Sequence, residues 1–381
     1  MLDITEMLRM TVEYGASDLH IVVGRPPVIR VDGNILNLEH PPLTAADTRR
    51  LIYGILTDIQ KQKFEEHKDL DFSLSISSVA RFRVNAHFQR GTVAAAFRMI
   101  MNNIKSYEEL NLPKMVCDHF TGRPTGFVLI TGPTGSGKST TLAAMIDKIN
   151  TEEPVHIITA EDPIEYVHPH KMALIEQREI NEDTPSFAAA LKYAMRQDPD
   201  VILVGEMRDL DTIQMAITAA ETGHLVFSTL HTVDVQQTMD RMIDVFPPHQ
   251  QEQIRQMLAG VIEGVMCQRL LPKPRGGRVA AIEILTGTDA IRNMIREGKT
   301  HQIPAFMDAG AKYGMQTMDK ALVDLYRRNA ISRDVLFLNA KKIDEVKRQI
   351  GGGTPGAPGA PGAPGGPGGP GGFGPRPPAR V

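Results

Sequence analysis

At 381 residues and 41.9 kDa the chain has room for two or three domains with their own cores, so a small disulfide-stapled scaffold is excluded. Hydrophobic residues make up 42% and charged residues 23%, which is ordinary globular usage. Forty-two Lys plus Arg against 45 Asp plus Glu give a net charge of −3, and basic runs stop at pairs such as Arg49-Arg50, so no nucleic-acid groove is advertised. Cys117 and Cys267 lie far apart, each without a neighbouring cysteine, which excludes a CxxC zinc site and a disulfide framework and points to a reducing cytoplasm. Asp3, Glu6 and Glu13 fall where a secretory leader needs a basic start and an apolar core. The longest aliphatic runs, such as Val201–Val204, are strand-sized, so any membrane association is expected to be peripheral.

In chain order, residues 1 to about 104 read as a mixed α/β unit. After an opening helix, residues 18–24 and 27–33 are β-rich, with Asp32-Gly33 as a turn signal. A helical stretch is expected from about Ala45 to Glu66. In the strand over 81–88, Phe82, Val84, Ala86 and Phe88 point one way and Arg81, Arg83, Asn85 and His87 the other; alone, this pattern is consistent with a solvated polar face. Residues 105–124, with Pro113, Gly122 and Pro124 and weak periodicity, read as an interdomain linker. From Gly126 strands alternate with helices: 127–131, 155–160, 201–205 and 225–230 are buried-type strands, and the segments after residues 138, 186 and 210 are helical. That alternation predicts a parallel sheet wrapped by helices. Beyond Pro248 the signal is mostly helical to about Ile350. From Gly353 to Gly374 glycine recurs at every third position, a collagen-like repeat too short for a secure triple helix and expected to be a disordered Gly/Pro tail over 351–381.

Gly132, Pro133, Thr134, Gly135, Ser136, Gly137, Lys138 and Ser139 fit the phosphate-binding pattern G-x-x-x-x-G-K-[ST], with Thr140 next in the helix. A buried strand precedes the loop and an amphipathic helix follows it, the context its mechanism needs. Backbone amides cradle phosphate, Lys138 reaches the β/γ-phosphates and Ser139 offers a Mg²⁺ ligand, which implies ATP and Mg²⁺ as cofactors. The neighbouring strands run into Glu161-Asp-Pro-Ile-Glu165, Glu206-Met-Arg208-Asp209 and His231-Thr232. In an open parallel sheet these ends converge on one ligand. Glu206 suits the metal shell, through water or directly, and Glu165 suits activation of the attacking water. His231 reads as a γ-phosphate sensor or subunit contact; the role of His224 stays open, and His168 and His170 read as loop histidines.

Taken together, residues 15–21, 81–91, 132–147, 161–168, 196–213, 219–232 and 290–299 resemble the signatures of the secretion-superfamily hexameric ATPases, most closely the type IV pilus retraction motors of twitching motility, the PilT family. The resemblance spans about residues 1 to 350. It implies a PAS-like N-terminal domain (1–104), then a RecA-like motor domain with a helical C-terminal part (125–350), ATP between the two, and a homohexamer acting on an inner-membrane pilus platform protein from the cytoplasmic face. It also implies that Arg83 and Arg98, with Arg196 and Arg208, approach the phosphates. Extension or type II secretion ATPases are the nearest alternatives, and a DNA translocase a more distant one. The segment 290–299 is expected to form an amphipathic helix with Ile291, Met294 and Ile295 inward and Arg292 and Arg296 on a polar coupling face.

Overall fold

The computed structural model describes residues 3–76, 79–100 and 103–351, so the Gly/Pro repeat lies outside the described residues. Helix α1 (Ile4–Glu13) begins at Asp3, whose carboxylate accepts from the Thr5 amide, and turns Met7, Leu8 and Thr11 inward. Six strands follow: β1 (Asp18–Ile21), β2 (Val28–Val31), β3 (Asn34–Asn37), β4 (Asp69–Ile76), β5 (Ala80–Gln89) and β6 (Thr92–Ile100). They form an antiparallel sheet in the order β3-β2-β1-β6-β5-β4. Between β3 and β4 lie α2 (Ala45–Tyr53) and α3 (Asp58–His67), each opened by a capping box, at Thr44 and Thr57. The single helix expected over 45–66 is therefore two, because Gly54 ends the first and Thr57 starts the second. Phe64, Phe72, Phe82, Val84, Ala86 and Phe97 share the core, while Arg83 faces outward, as the period-two pattern requires.

The second part begins with α4 (Tyr107–Leu110) and α5 (Lys114–Thr121). This differs from the expected linker over 105–124: Tyr107, Leu112, Val116, Cys117 and Phe120 are buried in the same cluster as Val128 and Ile130. The isolated apolar residues of this segment had too short a span to show their period. Then come β7 (Gly126–Thr131), α6 (Lys138–Glu152), β8 (His156–Glu161), β9 (Leu174–Glu179), α7 (Phe187–Ala194), β10 (Val201–Val204), α8 (Leu210–Glu221), β11 (Leu225–Leu230), α9 (Val235–Asp244) and α10 (Pro248–Val261). The sheet has the order β13-β12-β7-β11-β10-β8-β9, where β12 is Ile262–Pro272 and β13 is Arg278–Thr286. All its pairings are parallel except β12 with β13. Successive residues of β7 feed opposite faces: Phe127 and Leu129 enter the core with α8–α10, Val128 and Ile130 the core with α5 and α6.

The β12–β13 hairpin corrects the expectation of a mostly helical chain beyond Pro248. Gly276 and Gly277, with φ of 88° and 76°, make its turn, and the apolar, β-branched character of 278–286 was a legible strand signal. Helices α11 (Asp289–Arg296), α12 (Ile303–Ala309), α13 (Met318–Arg327) and α14 (Arg333–Asn339) follow. A separate compact unit starts at Lys342 and contains α15 (Ile343–Gly351).

Helix α11 buries Ile291 and Ile295 as expected, but Arg292 is not on a free polar face. Its guanidinium donates to the carbonyls of Gly287 at 3.0 Å, Ala259 at 3.3 Å and Gly260 at 2.5 Å, and pairs with Glu263 at 2.6 Å. Glu263, 8% exposed, also pairs with Arg123 at 2.8 Å. Arg292 thus ties α11 to the end of α10 and to β12. We expect Arg292→Ala to lower stability by about 2 kcal/mol, because a nearly buried carboxylate loses one of two partners and three carbonyls lose a donor. Arg296→Ala, whose side chain bonds Asn293, is expected to change stability by less than about 0.5 kcal/mol. Denaturant melts of the two variants side by side check this.

Candidate active site

Gly132 through Ser139 form the turn from β7 into α6. At Gly132, φ is 140°, and a Cβ there would lie 2.3 Å from the Gln268 carbonyl oxygen and 2.7 Å from Ser136 Oγ, so only glycine fits. Gly137 occupies the N-cap of α6 with φ 93° and offers no side chain to the first-turn amides. Ser136 Oγ is buried without a protein partner. Free amides, a helix N-terminus and an orphaned hydroxyl together fit a phosphate chain. Lys138 Nζ folds back onto the loop, donating to Gly132 O at 2.9 Å and Pro133 O at 3.3 Å. Burial pulls its pKa below the usual lysine value, opposed by Glu165 and Glu206.

The loop forms one wall of a cavity of about 540 Å³. The ends of β8, β10 and β11 bring Glu165, Glu206, Arg208 and His231 into the same cavity, together with Ser139 and Thr140. Glu206, 15% exposed, accepts from Arg208 at 2.7 Å, and its second oxygen lies 3.3 Å from His231 Nε2. Thr140 Oγ1 meets Tyr166 OH at 2.9 Å. The oxygen donors of Ser139 and Glu206, both on this lining, suit a hard cation such as Mg²⁺.

The loop carrying Glu165 is templated by β9, an edge strand that the sequence left unassigned. Gln177 accepts from the His168 amide at 2.8 Å and donates to the Tyr166 carbonyl at 2.8 Å and to Glu161 at 3.2 Å. Glu179 accepts from the Ile164 amide at 3.3 Å. Burial pushes the Glu161 carboxyl up to about 7 against the lowering pull of Thr159 and Gln177. His168 lies on the loop between β8 and β9, as expected, and is buried there; burial lowers its pKa to about 4. His224 sits at the far end of β11 with Nδ1 2.8 Å from the Ala219 carbonyl, which is a helix-end role.

Three expected cations lie outside the lining of this cavity. Arg83 and Arg98 face each other across β5 and β6, Arg98 donating to Asp18 at 2.9 Å, and Arg196 is exposed beyond the end of α7. Arg278 and Tyr166, by contrast, line the cavity without having been singled out. Arg278 is the first residue after the Gly276-Gly277 turn, and recognition of that hairpin is the signal that would have found it.

The fold and this cavity define a P-loop ATPase with a RecA-like sheet behind an N-terminal antiparallel domain. The chain belongs to the Type II/IV secretion system protein family, whose family model matches residues 2–321. It is 50% identical over 333 residues to the "Type IV pilus retractation ATPase PilT" of Pseudomonas aeruginosa, covering 87% of this chain and 96% of that one. It is 48% identical over 321 residues to a "Twitching motility protein" of Neisseria gonorrhoeae, covering 84% and 86%. A crystal structure of the pilus retraction motor PilT and bound ADP superposes with a TM-score of 0.85 at 48% identity, covering 91% of this chain and 100% of that chain.

Two outcomes are expected. A Glu161 carboxyl raised from 4.5 to about 7 binds a proton on folding, so its contribution is full below pH about 4.5 and lost as pH rises through 7. Glu161→Gln keeps a neutral acceptor, and should remove on the order of 2 kcal/mol of this pH-dependent loss, seen as a smaller fall in Tm between pH 5.5 and 8 without nucleotide. Arg278 reaches the cavity from the β13 side of β7, opposite the strands that carry Glu165, Glu206 and His231. Arg278→Ala is therefore expected to weaken ATP and ADP to similar extents, about fivefold by titration calorimetry, as a cation placed away from Glu165 and Glu206 would.

Proposed function

We propose that this chain is the ATP-driven motor of type IV pilus retraction, working as a homohexamer at the cytoplasmic face of the inner membrane against a pilus platform protein. The observation that carries the reading is the match at 50% identity to 96% of a retraction ATPase, with the phosphate loop and carboxylates of this chain sharing one cavity. With no basic run longer than a pair, nucleic acid is not the substrate this reading assigns.

In the proposed mechanism the first-turn amides of α6, Ser136 and Lys138 hold the β- and γ-phosphates of ATP, Lys138 exchanging its contacts to Gly132 and Pro133 for phosphate oxygens. Ser139 and Glu206 would hold Mg²⁺, Glu206 through water or directly, which supplies neutralisation of phosphate charge when bound. Glu165 accepts a proton from the attacking water, and His231 and Arg208 sense the γ-phosphate from the Glu206 side. Arg83 and Arg98, on the N-terminal sheet, and Arg196 reach the phosphates as the N-terminal domain moves against the motor body, so hydrolysis becomes rotation between domains.

Glu165→Gln should bind ATP with affinity within about twofold of wild type while kcat falls about 100-fold, because an amide cannot take the proton. In cells lacking the gene, surface pili are expected to accumulate and twitching to stop, and restoring the Glu165→Gln chain should not rescue either. Measured ATP turnover at the wild-type rate in Glu165→Gln would remove the assignment of that residue, and twitching that persists in the deletion would remove the motor reading.

A further inference from the structure

One buried carboxylate joins the N-terminal domain to the loop that carries Glu165. Glu179, the last residue of β9, has a side chain 6% exposed. Its Oε1 accepts from Ser73 Oγ of β4 at 2.5 Å. Its Oε2 accepts from Arg81 Nη2 of β5 at 2.8 Å, and the same oxygen accepts from the Ile164 amide at 3.3 Å. Ile164 immediately precedes Glu165 and is itself buried. The Glu179 amide donates to the Asp183 carboxylate at 2.8 Å, which fixes the start of this side chain. Gln177, two residues earlier on the same face of β9, holds the other end of the loop through Tyr166 and His168.

We propose that Glu179 is a positioning residue through which Arg81 and Ser73 of the N-terminal sheet set the placement of Glu165. The argument is one of shared oxygens. A carboxylate 6% exposed needs its charge met, and the charge-assisted bond to Arg81 is the strongest contact available to it. While Arg81 is in place, Oε2 is held where the Ile164 amide can reach it. When the N-terminal sheet moves by even an ångström, the cation leaves and the carboxylate must turn toward another donor, releasing the amide that locates the neighbouring residue. Placement of a catalytic group is sensitive to displacements of that size. The turnover residue is therefore set only when the N-terminal domain has the attitude in which Arg81 meets Glu179. This also gives Arg81 a task distinct from the phosphate-directed roles of Arg83 and Arg98: Arg81 acts on a protein carboxylate, 24% exposed and directed at the motor, whereas Arg83 is exposed. The inference deepens the mechanism above and rests on Glu165 as the residue that activates water.

The test uses the full-length chain in steady-state ATPase assays, with Tm and oligomer size measured on every variant. Arg81→Ala and Glu179→Gln are each expected to lower kcat about tenfold while KM for ATP stays within about twofold, and Ser73→Ala to lower it less. Arg81→Lys, which keeps the charge, should restore most of kcat. The double variant Arg81→Ala/Glu179→Gln should fall no further than Glu179→Gln alone, since both changes cut one linkage. Wild-type kcat in Arg81→Ala, multiplicative losses in the double variant, or a loss of kcat that only tracks a fall in Tm or assembly would each overturn the proposal. If Glu179→Gln proves too unstable to assay, the Arg81→Ala and Arg81→Lys pair decides alone. Glu165→Gln measured alongside separates the two levels: inactive Glu165→Gln with fully active Arg81→Ala removes only the linkage, whereas active Glu165→Gln removes the role of Glu165 itself.

Discussion

Backbone amides that are to hold a phosphate must be left without protein partners, and the surroundings of α6 are arranged around that demand. The N-cap is Gly137, which gives no side chain to the first-turn amides. Gly132 takes a backbone angle and a proximity to the Gln268 carbonyl that no other residue tolerates. Donors that must stay aimed at one ligand need a rigid support, and rigidity comes from β7, fully buried between β11 and β12. The central place of β7 in the sheet is thus a condition for the loop as well as for the core.

The same geometry explains the distribution of charge. Strands on one side of β7 end in Glu165, Glu206 and His231, and the hairpin on the other side ends its turn at Arg278. Carboxylates gathered at one cavity have to be balanced locally. Glu206 is met by Arg208 and His231, and burial pushes the Glu161 carboxyl up to about 7, which disfavours its charged form. Lys138 is satisfied by loop carbonyls. Each of these contacts is exchangeable, which is what a site that cycles between occupants requires.

Away from the cavity, two buried carboxylates act as mechanical joints. Glu263 gathers Arg123 and Arg292 where α10, β12 and α11 meet. Glu179 gathers groups from β4, β5 and the loop after β8. Both lie in elements that read as unremarkable in sequence, because an ion pair between separate segments, 98 residues apart for Glu179 with Arg81 and 29 for Glu263 with Arg292, leaves no periodic trace in either.

Local chemistry alone determined the phosphate loop, the strands that lead into Glu165, Glu206 and His231, and the buried face of α11, since each rests on contiguous residues and a short period. Helix α8 and strand β11 fall where the hydrophobic pattern places them, because caps and apolar runs are local signals. Tertiary structure decided the rest. The span 105–124 became part of the motor core because Phe120 and Cys117 meet strands that are distant in sequence. The hairpin after α10 paired with β7 although helical signals surround it, since the central strand needs a neighbour on that side. Arg292 turned from an expected coupling face into an internal tie, and Arg278 entered the cavity, because only the packed sheet fixes which side of a strand or helix meets a partner. A sequence states which residues share a face; what stands opposite that face is set by folding.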